Sequence, residues 1–489
     1  MTKSARPRLP AILLAAALLA IALGMANYIA LLRLKPEVSA IAWIADKPDY
    51  ESHLVNINQR ALSRARGAPD SFLPIYDVQN PGFFLLVAEL YARAGAVTPL
   101  PLEISSIVLF NLGALFFFGW VYLLFSSLIT AAFATAFLAL SQFFLFFPGV
   151  THTMPYEFVF FNLTLLLYLG FLRSGYRAYF FGALFAMFLT CMNYWFYYMS
   201  SWIIMVGLWW QYRGRPAIGD IAAISAPPMA ALVFTAGMVM ALFGIWPGTM
   251  RLLDILVART FDVRIPGGHW YPDQHFMDAQ AWAAYPDTVM YRLQWAYSID
   301  TFWFMAAAGC TFVLLGFRDR RALVSALILL LGGTSWYYVM FQHTHIHHFV
   351  GQYSFMAICP IFGLIVSEAL GSIWRAGGAL ASVQGSRAEA PPSSQRWQRV
   401  VLNMAVAAIM AGVGWKMIYP FAIRTYGLIH ETVRLSTIVE ARYQQAVQSI
   451  CRDKGEVTLP DLQAASKDWG IEWRPSAIAN TNRLPRCAG

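Results

Sequence analysis

Few residues in this chain are equipped for chemistry, and those few gather where apolar runs end. Asp49, Glu51 and His53 follow the first apolar run closely. A carboxylate there can act as a general base, accepting a proton from an attacking hydroxyl within hydrogen-bond reach. An imidazole two residues on can orient it. Glu157 lies at the start of another apolar run, MPYEFVFF, where an ionised group is costly and often functional. The segment QHTHIHH places His343, His345, His347 and His348 within six residues. If extended, it puts His343, His345 and His347 on one face, an arrangement suited to a phosphate, a substrate or a metal. The spacing matches no zinc motif and HExxH is absent, so no metal is assigned. Arg251, Arg259, Arg264 and Arg292 share a polar stretch with His269 and His275. A guanidinium fork suits bidentate contact with phosphate. Each group also has an ordinary use. A carboxylate can face water, an imidazole can sit at a polar interface, and the arginines can pair with Asp254 or Asp262.

The elements that position these groups must be membrane helices. Of 489 residues, 58% are hydrophobic and 12% charged, about half the charge of a soluble domain, with mean hydropathy +0.52. Seventeen Trp fit a protein with many membrane–water boundaries. The unpaired backbone groups of an apolar run cannot face lipid, so the runs predict helices. Eleven are expected, at 9–33, 104–125, 128–147, 157–172, 177–192, 195–211, 218–243, 298–316, 321–340, 349–371 and 399–420. The first resembles a signal peptide in following Lys3, Arg6 and Arg8, but it is long enough to span. With those three residues in the cytoplasm, alternation puts Arg173, Arg177, Arg213, Arg215, Arg318, Arg320, Arg321, Arg375, Arg387, Arg396 and Arg399 in cytoplasmic loops, as the positive-inside rule requires. The net charge of +9 is thereby used for orientation, and nucleic acid is not an expected partner. Three larger segments, 34–103, 244–297 and 421–489, then face outward and carry all the clusters above except Glu157 and the histidine run, which sit at shorter outward exits. The chain divides into a transmembrane module, 1–420, with a Gly/Ala/Ser/Pro-rich cytoplasmic linker at 377–394, and a small outer region, 421–489. That outer region holds Cys451 and Cys487, for which a disulfide and two free thiols are both chemically open. Neither a Walker A nor a GxGxxG pattern occurs, which argues against direct use of a soluble nucleotide.

The first outer loop carries a family resemblance. After Asp49-Tyr50-Glu51, residues 50–64 have amphipathic character. Asn80-Pro81-Gly82 then opens a second amphipathic segment, 81–94, with Phe83, Phe84, Leu86, Val87, Leu90 and Tyr91 suited to the interface. This order resembles the GT-C glycosyltransferases, nearest the branch of protein O-mannosyltransferases and lipid A aminoarabinose transferases. Glu157 fits an acid found in the short outward loop of that family, and His348, Phe349 and Pro360 loosely match a later exit. The chain departs where the family has Asp-Glu and Pro-Pro pairs, which identifies a divergent member. The resemblance, over roughly residues 1–370, implies an all-α polytopic GT-C-like fold with amphipathic interfacial helices in the first outer loop. It also implies an inverting transfer of a sugar from a polyprenyl-phosphate donor to a lipid, glycan or protein acceptor on the periplasmic side of an inner membrane, without a required cofactor. Asp49 and Glu51 are then the catalytic carboxylates. His53, Glu157, Arg259, Arg264, His345 and His348 contact donor or acceptor, while Trp270 and Tyr271 are placed to stack on a sugar.

Two other readings compete. A transporter or flippase of a lipid-linked substrate needs ionisable groups at mid-membrane and often shows paired broken helices. Here the ionisable groups lie mostly at the outer surface, and no internal repeat is evident. A membrane-embedded ligase or acyltransferase would also act outside, and the histidine cluster is its best support.

Overall fold

The computed structural model describes residues 9–33, 100–146, 148, 154–263, 265, 276–346, 348–385, 394–458, 461, 464–465 and 487. The first outer loop, with its expected amphipathic helices, lies outside the described residues. Those described are all-α. In chain order the α-helices are α1 (Leu9–Arg33), α2 (Leu100–Phe125), α3 (Leu128–Ala139), α4 (Gln142–Phe146), α5 (Met154–Ser174), α6 (Arg177–Cys191), α7 (Phe196–Arg213), α8 (Ile218–Phe243), α9 (Ile245–Phe261), α10 (Ala279–Ala283), α11 (Tyr285–Tyr297), α12 (Thr301–Arg318), α13 (Arg320–Thr334), α14 (Phe341–Ile346), α15 (Phe355–Gly385) and α16 (Ser394–Lys454). Two 3-10 helices, Ser335–Tyr338 and His348–Ser354, flank α14.

The expected count of eleven spans is corrected. Among the described residues seven helices are long and apolar enough to cross a membrane: Leu9–Leu32, Glu103–Phe125, Met154–Ser174, Ile218–Ala241, Thr301–Arg318, Val350–Arg375 and Met404–Glu431. These make the chain a multi-pass membrane protein. The other four expected spans are helices that stop short or are too polar. The run 128–147 divides because the Ser141 hydroxyl donates to Leu138 O and accepts from Phe144 N; α3 keeps 12 residues, about 18 Å. The run 177–192 gives 15 residues, about 22 Å, ending where Asn193 Nδ2 donates back to Leu189 O. The run 321–340 also gives 15 helical residues, then Ser335 Oγ donates to Gly332 O and the chain tightens into a 3-10 turn. Helix α7 has 18 residues but carries Tyr197, Tyr198, Ser200, Ser201, Gln211, Tyr212 and Arg213. A bilayer core is about 30 Å thick, so α3, α6 and α13 fall short of it.

The three short helices start from the same end of the bundle. There Arg173, at the end of α5, donates to Leu123 O and Ser126 Oγ beside the start of α3. Arg213 reaches Phe171 O, Gln211 Nε2 reaches Arg321 O, the Arg321 guanidinium covers the Tyr212 ring, and Arg318 and Arg375 share Glu368. At the other end α3, α6 and α13 give way to turns and short helices.

Between the ends the bundle packs through aromatic rings and close backbone approaches. Phe137 stacks on Phe362 at 3.9 Å, joining α3 to α15. These helices approach so closely at Gly363 that a Cβ there would lie 2.3 Å from Thr130 O. Asn27 and Asn111 exchange reciprocal amide hydrogen bonds of 2.9 and 2.7 Å between α1 and α2. Trp120 Nε1 donates to Asn162 Oδ1 at 2.8 Å. Helix α15 continues to Gly385, and α16 runs unbroken for 61 residues, through position 420 and well beyond its apolar window. Past that window Tyr443, Val447 and Ile450 cluster with Val457, and Cys451 is joined to Cys487 by a disulfide.

Candidate functional site

The turns that replace the ends of the short helices carry an unusual density of buried polar groups. Glu157, in the first turn of α5, is 1% exposed. Burial, and after it the nearby Glu157 carboxylate, pushes the Tyr197 hydroxyl well above its ordinary range. Tyr353, from the second 3-10 helix, stacks between Phe196 at 4.7 Å and Tyr194 at 5.0 Å and meets Tyr197 edge-on. The Tyr194 hydroxyl lies 3.3 Å from His343 Nε2, and Trp336 Nε1 donates to His343 Nδ1 at 3.2 Å. An indole N–H can only donate. Nδ1 is therefore the acceptor, the ring proton sits on Nε2, and the hydrogen-bond pattern assigns a neutral His343 that donates to Tyr194. A buried polar chain thus runs from Trp336 through His343 and Tyr194 to the ring stack beside Glu157.

A second layer holds this chain in place. Helix α14 is anchored by Arg292 of α11, which donates to Thr344 O at 3.3 Å and His345 O at 2.5 Å. The Tyr285 hydroxyl, pushed up to about 12 by burial, donates to Tyr337 O. The Tyr297 hydroxyl donates to Gln352 O at 2.9 Å, and a Cβ on Gly351 would lie 2.2 Å from Arg292 O. The second 3-10 helix is therefore pressed onto α11. On the opposite flank Asp262, in the left-handed region at φ 55°, accepts from Phe276 N and Met277 N on one oxygen and from Gln342 Nε2, at 2.5 Å, on the other. This ties the end of α9 to α14. Gln352 is fully buried, and among the described residues neither end of its amide meets a hydrogen-bond partner. A buried amide in that state favours a polar occupant.

Of the residues expected to form the site, Asp49, Glu51, His53 and Arg264 lie outside the described residues, as do His347, Trp270, Tyr271 and the side chain of His348. Glu157 is buried near Tyr197, whose ring meets Tyr353. His345 is half-buried, with its carbonyl held by Arg292. Arg259 is nearly buried on α9, whose next residue, Thr260, contacts Met340 Sδ at 3.5 Å beside α14. The network also includes Tyr194, Tyr197, Trp336, Gln352 and Tyr353, which sequence reasoning missed. Their only signal was aromatic and amide side chains inside otherwise aliphatic runs, a pattern that a membrane–water boundary also produces. Among the described residues no three His, Cys, Asp or Glu side chains converge as a metal site.

No family model matches the chain, and no curated protein matches it. Among solved structures it is similar to the archaeal oligosaccharyltransferase AglB from Archaeoglobus fulgidus, in complex with an inhibitory peptide and a dolichol-phosphate. The match has a TM-score of 0.40 and 11% sequence identity, and covers 96% of this chain. The chain spans 61% of the length of that protein.

Proposed function

We propose that this protein is an integral membrane glycosyltransferase that moves a sugar from a polyprenyl-phosphate donor to a lipid, glycan or protein acceptor on the periplasmic side of the inner membrane. In the proposed reaction an acceptor hydroxyl attacks the anomeric carbon, and a new C–O bond forms as the bond from that carbon to the phosphate oxygen breaks. The phosphate leaves with the electron pair, and a carboxylate takes the hydroxyl proton. The configuration inverts. Asp49 is the proposed base, with Glu51 the next choice. His53, Glu157, His345 and His348 would contact donor or acceptor. Arg259 and Arg264 are the proposed partners of the leaving phosphate, where preorganised cationic donors are most effective.

The observation that carries this reading is the buried polar network around Glu157 and His343, at the end of the bundle opposite the arginine-rich end. Ionisable and hydroxyl groups kept inside a membrane bundle favour function over solvation. The donor class is what the resemblance of the first outer loop to the GT-C glycosyltransferases implies.

The test is to incubate purified protein with a panel of polyprenyl-phosphate sugars and an acceptor extract, and to measure free polyprenyl phosphate. Release by the native protein but not by Asp49→Asn is expected. If no donor yields release, the reading fails. Release that persists in Asp49→Asn moves the base to Glu51 or elsewhere. Reporter fusions after residues 174 and 319 should report the cytoplasm, and those after 270 and 430 the periplasm; the reverse pattern would overturn the sidedness.

A further inference from the structure

Helix α9 is amphipathic in the sense opposite to that of a helix facing water. Asp254, Arg259 and two of its small residues turn inward: Asp254 is 1% exposed, Arg259 is 9% exposed, and Gly248 and Ala258 are buried, while Arg251 is half-buried. Its large apolar residues turn outward: Ile245 is 77% exposed, Trp246 72% and Phe261 63%, with Leu253, Leu256 and neighbouring Val263 also exposed. Burying a carboxylate and a guanidinium while leaving six large apolar side chains uncovered is unfavourable if the outer face meets water. It is favourable if that face meets lipid.

The ends of α9 fix how it lies. Gly244, at φ 88°, turns the chain directly out of the spanning helix α8. A Cβ on Gly248 would lie 2.9 Å from the Met240 Cα, so the first turn of α9 rests on the last turn of α8. At its other end Thr260 contacts Met340 and Asp262 holds Gln342, both beyond the end of α13. One end of α9 thus sits at the end of a spanning helix and the other beside the segment that follows the short helix α13. With 17 residues, about 25 Å, the helix falls short of a bilayer core of about 30 Å.

We infer that α9 is an in-plane interfacial helix whose outer face, Trp246, Leu253 and Leu256 in particular, is bedded in the lipid bilayer, while its inner face walls the polar network from lipid. The occupant of the exposed face is the bilayer at the boundary of headgroups and acyl chains. Such helices bury their apolar side to about 5–10 Å at that boundary. The inference rests on packing alone and holds whatever reaction the protein performs.

Site-directed spin labelling of the full chain in lipid nanodiscs tests it. Cys191 and Cys359 are buried and Cys451 is paired with Cys487, so Cys310→Ala removes the remaining free thiol. Labels are placed singly at Trp246→Cys, Leu253→Cys and Leu256→Cys. Val233→Cys, on the exposed side of spanning helix α8, serves as the lipid control, and Arg442→Cys, beyond the apolar window of α16, as the water control. The expected result is that all three α9 labels collide with oxygen in preference to a soluble nickel chelate, as the lipid control does. Their depths should agree within about 5 Å, because an in-plane helix changes little in depth. A helix crossing the bilayer would separate positions 246 and 256 by about 15 Å. Nickel accessibility matching the Arg442→Cys label would place the face in water and overturn the inference. Exclusion of both reagents would mean that protein, such as a second copy, covers the face, which would overturn it equally. Three label sites keep the test decisive if one variant misfolds.

Discussion

The Asp262 carboxylate binds three donors from two separate stretches of chain, and its removal has a calculable effect. Hydrogen bonds to a charged acceptor are worth about 1.5–3 kcal/mol each. In Asp262→Ala the two bonds from Phe276 N and Met277 N, both 2.8 Å, are lost. At the low end this is about 3 kcal/mol, or roughly a hundredfold in the local opening equilibrium. Alanine is further penalised by the backbone, because φ 55° lies in the left-handed region that Asp and Asn tolerate better than Ala. Asp262→Asn should behave differently. Its carbonyl oxygen can keep the backbone pair, and Gln342 can turn its amide so that Oε1 accepts from the new Nδ2. The loss is then about 1 kcal/mol, less than tenfold. Hydrogen–deuterium exchange in nanodiscs, read at the amides of residues 276 and 277, separates these cases. Expected is roughly hundredfold faster exchange in Asp262→Ala and less than tenfold in Asp262→Asn. If the alanine variant exchanged at the native rate, or the two variants were indistinguishable, the assignment of Asp262 as the anchor of residues 276 and 277 at the end of α9 would be refuted.

Three further outcomes follow from the packing. Glu157→Gln should leave the thermal midpoint within a few degrees, since replacing a buried charge by an isostere relieves desolvation. It should lower kcat/KM for the proposed sugar transfer by about 10- to 100-fold, the worth of one charge-assisted contact; native turnover would remove Glu157 from the proposed site. Gly363→Ala should destabilise the bundle by at least about 2 kcal/mol, because its Cβ would meet Thr130 O at 2.3 Å. Gly412→Ala, with open space around it, should be neutral or slightly stabilising, and the pair is compared by thermal unfolding in one detergent. Asn27→Leu should cost about 1 kcal/mol by breaking the amide pair with Asn111. The double change Asn27→Leu with Asn111→Leu should recover part of it, since no orphaned amide then remains; a double variant as unstable as the sum of the singles would argue against the pair.

The class of fold was legible because lipid imposes one rule on every residue it touches. A long run of aliphatic side chains must be a helix, and the seven long runs are helices of spanning length. The failures in the count share a physical cause. Hydropathy sums side chains without regard to where the backbone can be satisfied. One serine at 141, one asparagine at 193 and one serine at 335, each bonding a carbonyl three or four residues back, end three helices inside runs whose mean composition still reads as a span. The site was legible only where charge betrayed it. Glu157 stands out in an apolar run, and so do the histidines, but the places of Tyr194 and Tyr353 depend on contacts between segments more than 100 residues apart. No local pattern encodes those contacts.

The shortness of α3, α6 and α13 and the polarity of the network are one feature rather than two. Irregular backbone at membrane depth is tolerated only where protein buries it or where it lines a polar space. Three helices starting from the arginine-rich end and stopping about 8–12 Å short of a full crossing leave room on the far side. The chain fills that room with side chains that need one another. Trp336 donates to His343, His343 donates to Tyr194, and Arg292 and Asp262 hold α14 from either side. Full-length apolar helices in those three places would have had no room for the network. Extending one helix is therefore predicted to disturb the site more than the bundle. In Ser141→Ala, α3 and α4 lose the hydroxyl that separates them, a change worth only about 1 kcal/mol in stability. Yet α4 packs on α11, which carries Arg292. If the proposed sugar transfer is the activity, its slowing with an almost unchanged thermal midpoint is the expected result. A large fall in stability with native turnover in the surviving protein would show instead that the break serves folding alone.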